Sequence, residues 1–463
     1  MQLASLLGGV DVLERRGDLD VDVRSVTHDS QQVVAGTLFC CVPGGAADGH
    51  DFAPAAVSAG AVALLCERVL PVDATQVRVA SARASMGPIA SALHGHPSRQ
   101  LRVAGVTGTN GKTTTTYFLR SVLEAAGVST AVIGTLGGAR TTPEAPELQA
   151  LLARSVEEGR GAVTMEVSSH ALAQHRVDGT WFEVVAFTNL SQDHLDYHRD
   201  MESYFAAKAS LFDPGRARLG VVNGDDPWGR RLLESVALPV RAYSMADADG
   251  LALRTTGSSF SWRGQSVELH LGGDFNVSNA LCAAAMADAL GVAAEAVAAG
   301  LSSLRAVPGR FEPVDAGQDF TVVVDYAHTP DGLTRVLQSA RAASEGRVIA
   351  VFGCGGDRDR AKRPQMGEAA STLADVAVLT NDNPRSEDPM AIIGEVLAGV
   401  PLRRSVVVEP DREAAIALAL EAAGPGDIVV IAGKGHETGQ TTGDVTVDFD
   451  DRVVARRLLE ARS

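Results

Sequence analysis

Apolar residues in this chain gather in short, nearly unbroken runs, and between them lie stretches where apolar positions recur every three or four residues. This is the pattern of buried parallel strands separated by amphipathic helices. Strands are expected at 37–42, 61–66, 101–106, 162–166, 184–188, 219–223, 320–325, 347–352, 376–380, 405–408 and 427–431, and helices at 53–59, 81–94, 201–212 and 275–290. Another helix follows residue 111, where Phe118, Leu119, Val122, Leu123 and Ala126 keep helical spacing until Gly127 stops it. Pro54 and Gly60 bracket the first helix, and Pro43-Gly44-Gly45 turns the chain after its strand. His96-Pro97-Ser98 and Pro308-Gly309 punctuate the pattern, which predicts α/β units at 1–98, 99–306 and 307–463. A length of 463 residues agrees with about three domains. The last unit alternates strands and helices as a doubly wound, Rossmann-like sheet does. Gly353-Cys354-Gly355-Gly356 follows one of its strands but lacks Gly-x-Gly-x-x-Gly spacing and opens no helix, so no dinucleotide site is expected there.

The segment from Gly105 to Thr114 lies between a strand and a helix and reads Gly-Val-Thr-Gly-Thr-Asn-Gly-Lys-Thr-Thr. Val106 stands where the standard phosphate loop has its first glycine, leaving Gly-x-x-Gly-Lys-Thr. Read alone it could be a plain glycine turn; the strand before and helix after favour phosphate binding. Gly108 and Gly111 let backbone N–H groups close on phosphate oxygens, and the helix N-terminus adds partial positive charge. Lys112 can reach the outer phosphates and Thr113 can ligate Mg²⁺. Gly108, Thr109, Asn110, Gly111, Lys112, Thr113 and Thr114 are therefore the expected ATP contacts, in a central ATPase domain with a mainly parallel sheet.

Composition narrows the partners. Hydrophobic residues at 45% and charged residues at 21% are ordinary for a globular chain. A formal charge of -16, from 41 Lys+Arg against 57 Asp+Glu, argues against a general nucleic-acid or anionic-membrane binder. Five cysteines, an odd number with no Cys-x-x-Cys, indicate neither a disulfide framework nor a zinc ribbon. No apolar run is long enough to span a bilayer and residues 1–15 do not read as a leader, so a cytoplasmic location is expected.

In a parallel sheet ligands gather at the carboxyl ends of strands, so Glu166, Asn189, Asp193, His194 and Asp225 are expected in one cleft. Glu166 is suited to hold Mg²⁺ beside a triphosphate, although a strand-end glutamate is often only solvated. His194 either helps hold a second cation or is a satisfied structural histidine; the neighbouring phosphate loop and Glu166 favour the first reading.

These residues resemble the Mur ligase family over nearly the whole chain. The resemblance rests on Thr107-Gly-Thr-Asn-Gly-Lys-Thr-Thr114, Thr141-Thr142-Pro143, Glu166-Val-Ser-Ser-His170, Thr188-Asn-Leu through Asp193-His-Leu-Asp-Tyr-His198, Ala207-Lys208, Phe275-Asn-Val-Ser-Asn279, Gly309-Arg310-Phe311-Glu312, Asp325-Tyr-Ala-His-Thr-Pro-Asp331, Asp382-Asn-Pro-Arg385 and Gly433-Lys-Gly-His-Glu437. It implies a three-domain ligase that phosphorylates a carboxylate with ATP and joins the acyl phosphate to an amine. By the family pattern the catalytic residues are Lys112, Glu166, His194 and Lys208. Thr113, Glu166, His194 and Lys208 as a carbamate (N6-carboxylysine) serve Mg²⁺. From the residues alone, Lys208 reads as an ordinary surface lysine on the 201–212 helix. Asn276, Asn279, Arg310 and Asp325 match nucleotide contacts.

A nucleotide-sugar peptide, by the same resemblance, is gripped by Thr141, Thr142, Ser168 and Arg176, with its uridine end on the first domain near Ser30 and Asp48-Gly49-His50. Asp29-Ser30-Gln31 departs from the family's Asp-Ser-Arg, and the segment between Thr135 and Thr141 is shorter than usual. For the amine substrate, Arg358, Asp382, Asn383, Arg385, Gly433 and Glu437 match positions that bind meso-diaminopimelate. Its distal carboxylate can take two parallel hydrogen bonds from Arg385, whereas lysine offers none. The expected reaction is addition of meso-diaminopimelate to UDP-N-acetylmuramoyl-L-alanyl-D-glutamate. Lysine addition, or a nucleotide-dependent regulatory protein on the same fold, are the alternatives. A monomer that binds small molecules, with neither nucleic acid nor membrane insertion, completes the expectation.

Overall fold

The computed structural model describes residues 1–45 and 47–462. Three sheets of five or six strands follow one another along the chain. In the first the strand order is Val12–Arg16, Thr75–Val79, Ala61–Cys66, Thr37–Cys40, Ser25–Thr27; its first pair is antiparallel and the others are parallel. The central sheet is wholly parallel in the order Val240–Tyr243, Gly220–Asn223, Val184–Phe187, Arg102–Thr107, Ala162–Glu166, Thr130–Ile133. The third runs Glu312–Pro313, Thr321–Asp325, Ile428–Ala432, Val348–Phe352, Val376–Leu379, Val407–Val408, parallel except for its first pair.

Strand order explains the site. Arg102–Thr107 lies between Val184–Phe187 and Ala162–Glu166, so the phosphate loop, residues 188–189 and Glu166 leave one sheet edge side by side. In the third sheet Thr321–Asp325, Ile428–Ala432, Val348–Phe352 and Val376–Leu379 are neighbours, so the segments after all four open at one edge too. The helix Lys112–Ala125 buries Phe118, Leu119, Val122 and Leu123 against Asp274–Ala289 and Ala294–Ser303. Each such side chain contributes about 1.5–3 kcal/mol by leaving water. Gly300 permits this packing, because a Cβ there would collide with the Val122 backbone.

Differences from the sequence reading follow burial. The expected helix at 201–212 is α-helical over Met201–Ala209 and tightens into a 3₁₀ turn at Ser210–Phe212. The strand expected at 405–408 is paired only at Val407–Val408, on a sheet edge. A three-stranded antiparallel sheet, Asp249–Arg254, Gly257–Trp262 and Gln265–Leu269, was not expected. It buries alternate residues such as Phe260 and Trp262, and such a one-sided sheet leaves no continuous apolar run.

Candidate active site

The phosphate loop is shaped by glycines. Gly108 has φ +150° and a Cβ there would collide with the Thr188 hydroxyl; Gly111 has φ +86° and a Cβ would strike the Asn279 amide. The neighbouring strand end staples the loop: Asn189 accepts from Asn110 N at 2.9 Å through Oδ1, and from Thr109 N at 2.9 Å through its backbone carbonyl. Thr188 Oγ1 donates to Asn110 O at 2.6 Å. Lys112 Nζ folds back to donate to Gly108 O at 2.9 Å and Thr109 O at 2.8 Å. Burial lowers its pKa, while Glu166 and Asp193 oppose that shift.

Glu166 is buried at the adjacent strand end. Its Oε2 accepts from Thr113 Oγ1 at 2.9 Å and its Oε1 from Thr135 N at 2.8 Å. Among the described residues no three His, Cys, Asp or Glu side chains form a metal cage. Mg²⁺ needs none, since it usually takes one or two protein oxygens together with phosphate and water. The Thr113 hydroxyl and Glu166 carboxylate, in contact on the cavity wall, fit that requirement. His194 has a left-handed backbone, φ 56°, and its Nε2 lies 3.3 Å from Asp193 Oδ2. Burial lowers the His194 pKa, and the ring meets His170 edge to face. Lys208 does not line the cavity. It is buried behind the loop, with Nζ donating to Gly108 O at 2.7 Å and lying 4.6 Å from the centre of the Tyr204 ring. Burial holds its pKa well below the ordinary lysine value, Lys112 adds to that, and Asp193 opposes it.

A cavity of about 240 Å³ in front of the loop brings together Thr109 to Thr114, Glu166, His194, Asn276, Asn279, Arg310 and Asp325. Phe275, Tyr326, His328 and Arg335, not singled out in the sequence, complete it. Two contacts cross from the third sheet to the loop: Arg310 Nη2 donates to Thr113 Oγ1 at 3.2 Å, and Asn110 Nδ2 donates to Asp331 Oδ2 at 3.2 Å. Asp325 accepts from Phe311 N and Ala327 N, each at 2.7 Å, and burial pushes its pKa up to about 6.

A second cavity, of about 420 Å³, collects Arg358, Asp382, Arg385, Gly433 and Glu437, with Lys362, Asp359 and His170 added by the structure. Asn383 sits beneath them and donates from Nδ2 to Asp382 Oδ1 at 3.0 Å and Glu437 Oε2 at 2.7 Å. Arg385 is left-handed, φ 52°, held by Thr441 O at 3.0 Å, and its Nη1 donates to Gly356 O at 2.6 Å. Gly433 has φ +116°, and a Cβ there would lie 2.5 Å from Asp382 Oδ2. Below, the fully buried Arg412 donates to Asn381 O at 3.2 Å and Ala432 O at 3.0 Å, and pairs with Asp451 through two contacts of 2.7 Å. Asp193, His194, Tyr326 and His328 line both cavities and form their common wall.

The expected peptide grip is partly assembled. Thr142 Oγ1 donates to Glu166 O at 2.8 Å and accepts from Ser168 N at 3.1 Å; Thr141 meets Thr135 at 3.0 Å. Arg176 Nη1 donates to Thr142 O at 3.2 Å, and its Nε lies 3.0 Å from the buried Glu144, which also takes Arg83 of the first domain at 3.2 Å. Ser30 opens a short 3₁₀ turn capped by Asp29, partly exposed. His50 is buried with both ring nitrogens engaged, to Asp48 Oδ1 at 2.6 Å and Glu67 N at 3.0 Å, so it braces its loop and has no free nitrogen for a ligand. Asp225 departs from expectation: it accepts from Met245 N at 2.7 Å and lines a neighbouring cavity, because its strand lies one place further from the loop.

Residues 106–287 match the family model for the Mur ligase middle domain, 309–435 that for the Mur ligase glutamate ligase domain, and 22–96 that for the Mur ligase family catalytic domain. The chain is similar to proteins named UDP-N-acetylmuramoyl-L-alanyl-D-glutamate--2,6-diaminopimelate ligase. That of Solibacter usitatus is 48% identical over 95% of this chain and 94% of its own, and that of Gloeobacter violaceus 46% over 100% and 99%. A solved structure of a ligase with that name superposes with a TM-score of 0.70 at 32% identity, covering 100% of this chain and 99% of that one. Matches of this extent, over three domains that join a phosphate loop to a strand-end carboxylate, make this chain a member of the Mur ligase family.

Proposed function

We propose that the chain is an ATP-dependent, ADP-forming ligase that joins meso-diaminopimelate to the D-glutamate of UDP-N-acetylmuramoyl-L-alanyl-D-glutamate in cytoplasmic peptidoglycan precursor synthesis. One observation carries this reading: the cavity beside the phosphate loop and the cavity holding Arg385 share a wall, so a phosphorylated carboxylate and an incoming amine can meet. A carboxylate has no usable leaving group, and transfer of the γ-phosphoryl supplies one. Lys112 swings from its loop carbonyls onto the phosphates and stabilises the charge of that transfer. Mg²⁺ held by Thr113 and Glu166, with His194 and carbamylated Lys208 serving a second ion, would offset phosphate charge. Carbon dioxide adds to the neutral amine, and burial, by lowering the Lys208 pKa, favours that form and supports the role.

Asn276, Asn279, Arg310 and Asp325 hold the nucleoside in this reading. Thr141, Thr142, Ser168 and Arg176 hold the peptide, and Ser30 lies toward the uridine. Arg358, Asp382, Asn383, Arg385, Gly433 and Glu437 hold the amino acid. The chain acts as a monomer of three domains, 1–98, 99–306 and 307–463, and no helix of its described residues is long and apolar enough to cross a membrane.

The test measures ADP release and ligated product with sugar peptide, ATP and Mg²⁺, comparing meso-diaminopimelate with L-lysine at equal concentration. Lysine leaves the guanidinium unpaired, at about 1–3 kcal/mol, so diaminopimelate should be preferred by about 10- to 100-fold, and Arg385→Ala should erase that preference. Preference for lysine would replace the amine substrate. No product with either would leave a nucleotide-dependent regulatory protein.

A further inference from the structure

An amino acid reaches such a site as an ammonium ion, with its lone pair occupied by a proton, and cannot attack until a base removes it. Four residues line both cavities and so can touch a group passing between them: Asp193, His194, Tyr326 and His328. Three are already committed. Asp193 accepts from His194 N at 2.9 Å through Oδ1 and its Oδ2 faces His194 Nε2 at 3.3 Å, and in the ligase reading His194 also serves the second cation. Tyr326 is a phenol whose pKa burial pushes up to about 12, so it keeps its proton near neutrality.

His328 differs. Its Nδ1 lies 2.8 Å from Tyr326 O, and a carbonyl can only accept, so Nδ1 carries the hydrogen. The neutral ring then has its lone pair on Nε2, which has no hydrogen-bond partner among the described residues while the side chain lines both cavities. We propose that His328 is the catalytic base that takes the proton from the attacking ammonium group through Nε2. This rests on the ligase reading above and assigns one of its steps.

The step balances. Nε2 takes one proton from R–NH₃⁺ and becomes imidazolium; the freed lone pair forms the C–N bond at the acyl phosphate carbon. Collapse of the tetrahedral adduct breaks the C–O bond to phosphate, which leaves with the second amine proton as hydrogen phosphate. The imidazolium then returns its proton to water. The surroundings keep the resting ring neutral. Burial lowers its pKa, and Lys362 from the helix Lys362–Leu373 lowers it further, whereas Asp193, the hydrogen bond to Tyr326 O and Asp382 raise it. The Tyr326 ring, 4.5 Å away, packs against it, with His436 on the far side of Tyr326 at 4.9 Å.

Hydroxylamine separates this step from the rest of the reaction, because it is unprotonated at neutral pH and captures acyl phosphates without a base. Wild-type protein given ATP, Mg²⁺, sugar peptide and hydroxylamine should yield hydroxamate; if it yields none, the acyl phosphate itself is lost and the ligase reading fails first. In His328→Gln, which removes the imidazole base, hydroxamate formation should fall far less than ligation. Its kcat/KM for diaminopimelate should fall at least about 100-fold, with the residual rate climbing with pH as free amine accumulates. Hydroxamate still formed by the variant also shows that it is folded. In the wild type, acidification should depress kcat/KM for diaminopimelate, and hydroxamate formation at saturating hydroxylamine should not follow it. Parallel loss of ligation and hydroxamate in His328→Gln, ligation that survives the substitution, or identical wild-type acid limbs for the two acceptors would each overturn the assignment.

Discussion

The cavity in front of the phosphate loop, proposed for the nucleotide, and the cavity around Arg385, proposed for the amino acid, meet at Asp193, His194, Tyr326 and His328, yet they are built by different means. The first is organised by a continuous segment: glycines free the backbone of the loop, and the adjacent Thr188 and Asn189 hold it with short hydrogen bonds. The second has no such segment. Asp382, Gly433 and the Gly353–Gly356 turn leave three separate strands, and the carbonyls of Asn381 and Ala432 are drawn together by the buried Arg412. A phosphate site can be made from backbone alone, since N–H groups suffice; a site for a zwitterion with an extra carboxylate needs side chains of both signs.

The strongest way to break this contrast is Lys112→Ala. It removes the one side-chain cation carried by the loop itself, and kcat should fall by about 10³-fold with the melting temperature little changed. A small change in turnover would mean that backbone and Mg²⁺ carry the transfer unaided. Asp325, under the nucleotide cavity, tests the electrostatic side. Its folded pKa is raised to about 6 from 3.8, so the folded chain keeps a proton that the unfolded chain has lost. That contribution to stability is full below about pH 4 and is lost as pH rises through about 6, amounting to on the order of 3 kcal/mol. Urea unfolding across that range should show the slope, and Asp325→Asn should remove it; a slope that persists in the variant rules Asp325 out as its source. Gly433→Ala sharpens the contrast from the other cavity. Its Cβ would crowd Asp382 at a positive φ, a strain of about 1–3 kcal/mol. KM for diaminopimelate should rise by about 10- to 100-fold while KM for ATP holds. Equal changes in both would show that the two cavities are not independent.

The same contrast governs what the sequence discloses. Residues 107 to 114 could be read because their chemistry is contiguous, and Glu166 and His194 because apolar runs placed them at or beyond strand ends; Thr109 to Thr114, Glu166 and His194 line one cavity. Resemblance located the amino-acid residues, whereas the packing that brings them together has no local signal. Arg412 and Lys362 carry no motif of their own in the sequence and are buried. Tyr326 and His328 lay within a motif quoted only as a unit, and their place between two cavities depends on how two sheets face each other. Asp225 shows the opposite error: a correct strand end does not fix the neighbour order that decides which cleft it enters.

Arg412 finds its carboxylate partner on the last helix, Asp451–Glu460. During synthesis, a chain emerging from the ribosome can therefore complete its phosphate loop, Glu166 and even Arg385 well before that partner exists. Until the helix Asp451–Glu460 docks, the Arg412 guanidinium beneath the strands that shape the Arg385 cavity lacks its hydrogen-bonded carboxylate, and a buried charge without its partner is strongly unfavourable. Asp451 is thus translated after the residues that line the two cavities, so the phosphate loop is complete before the support beneath Asp382 and Gly433 is.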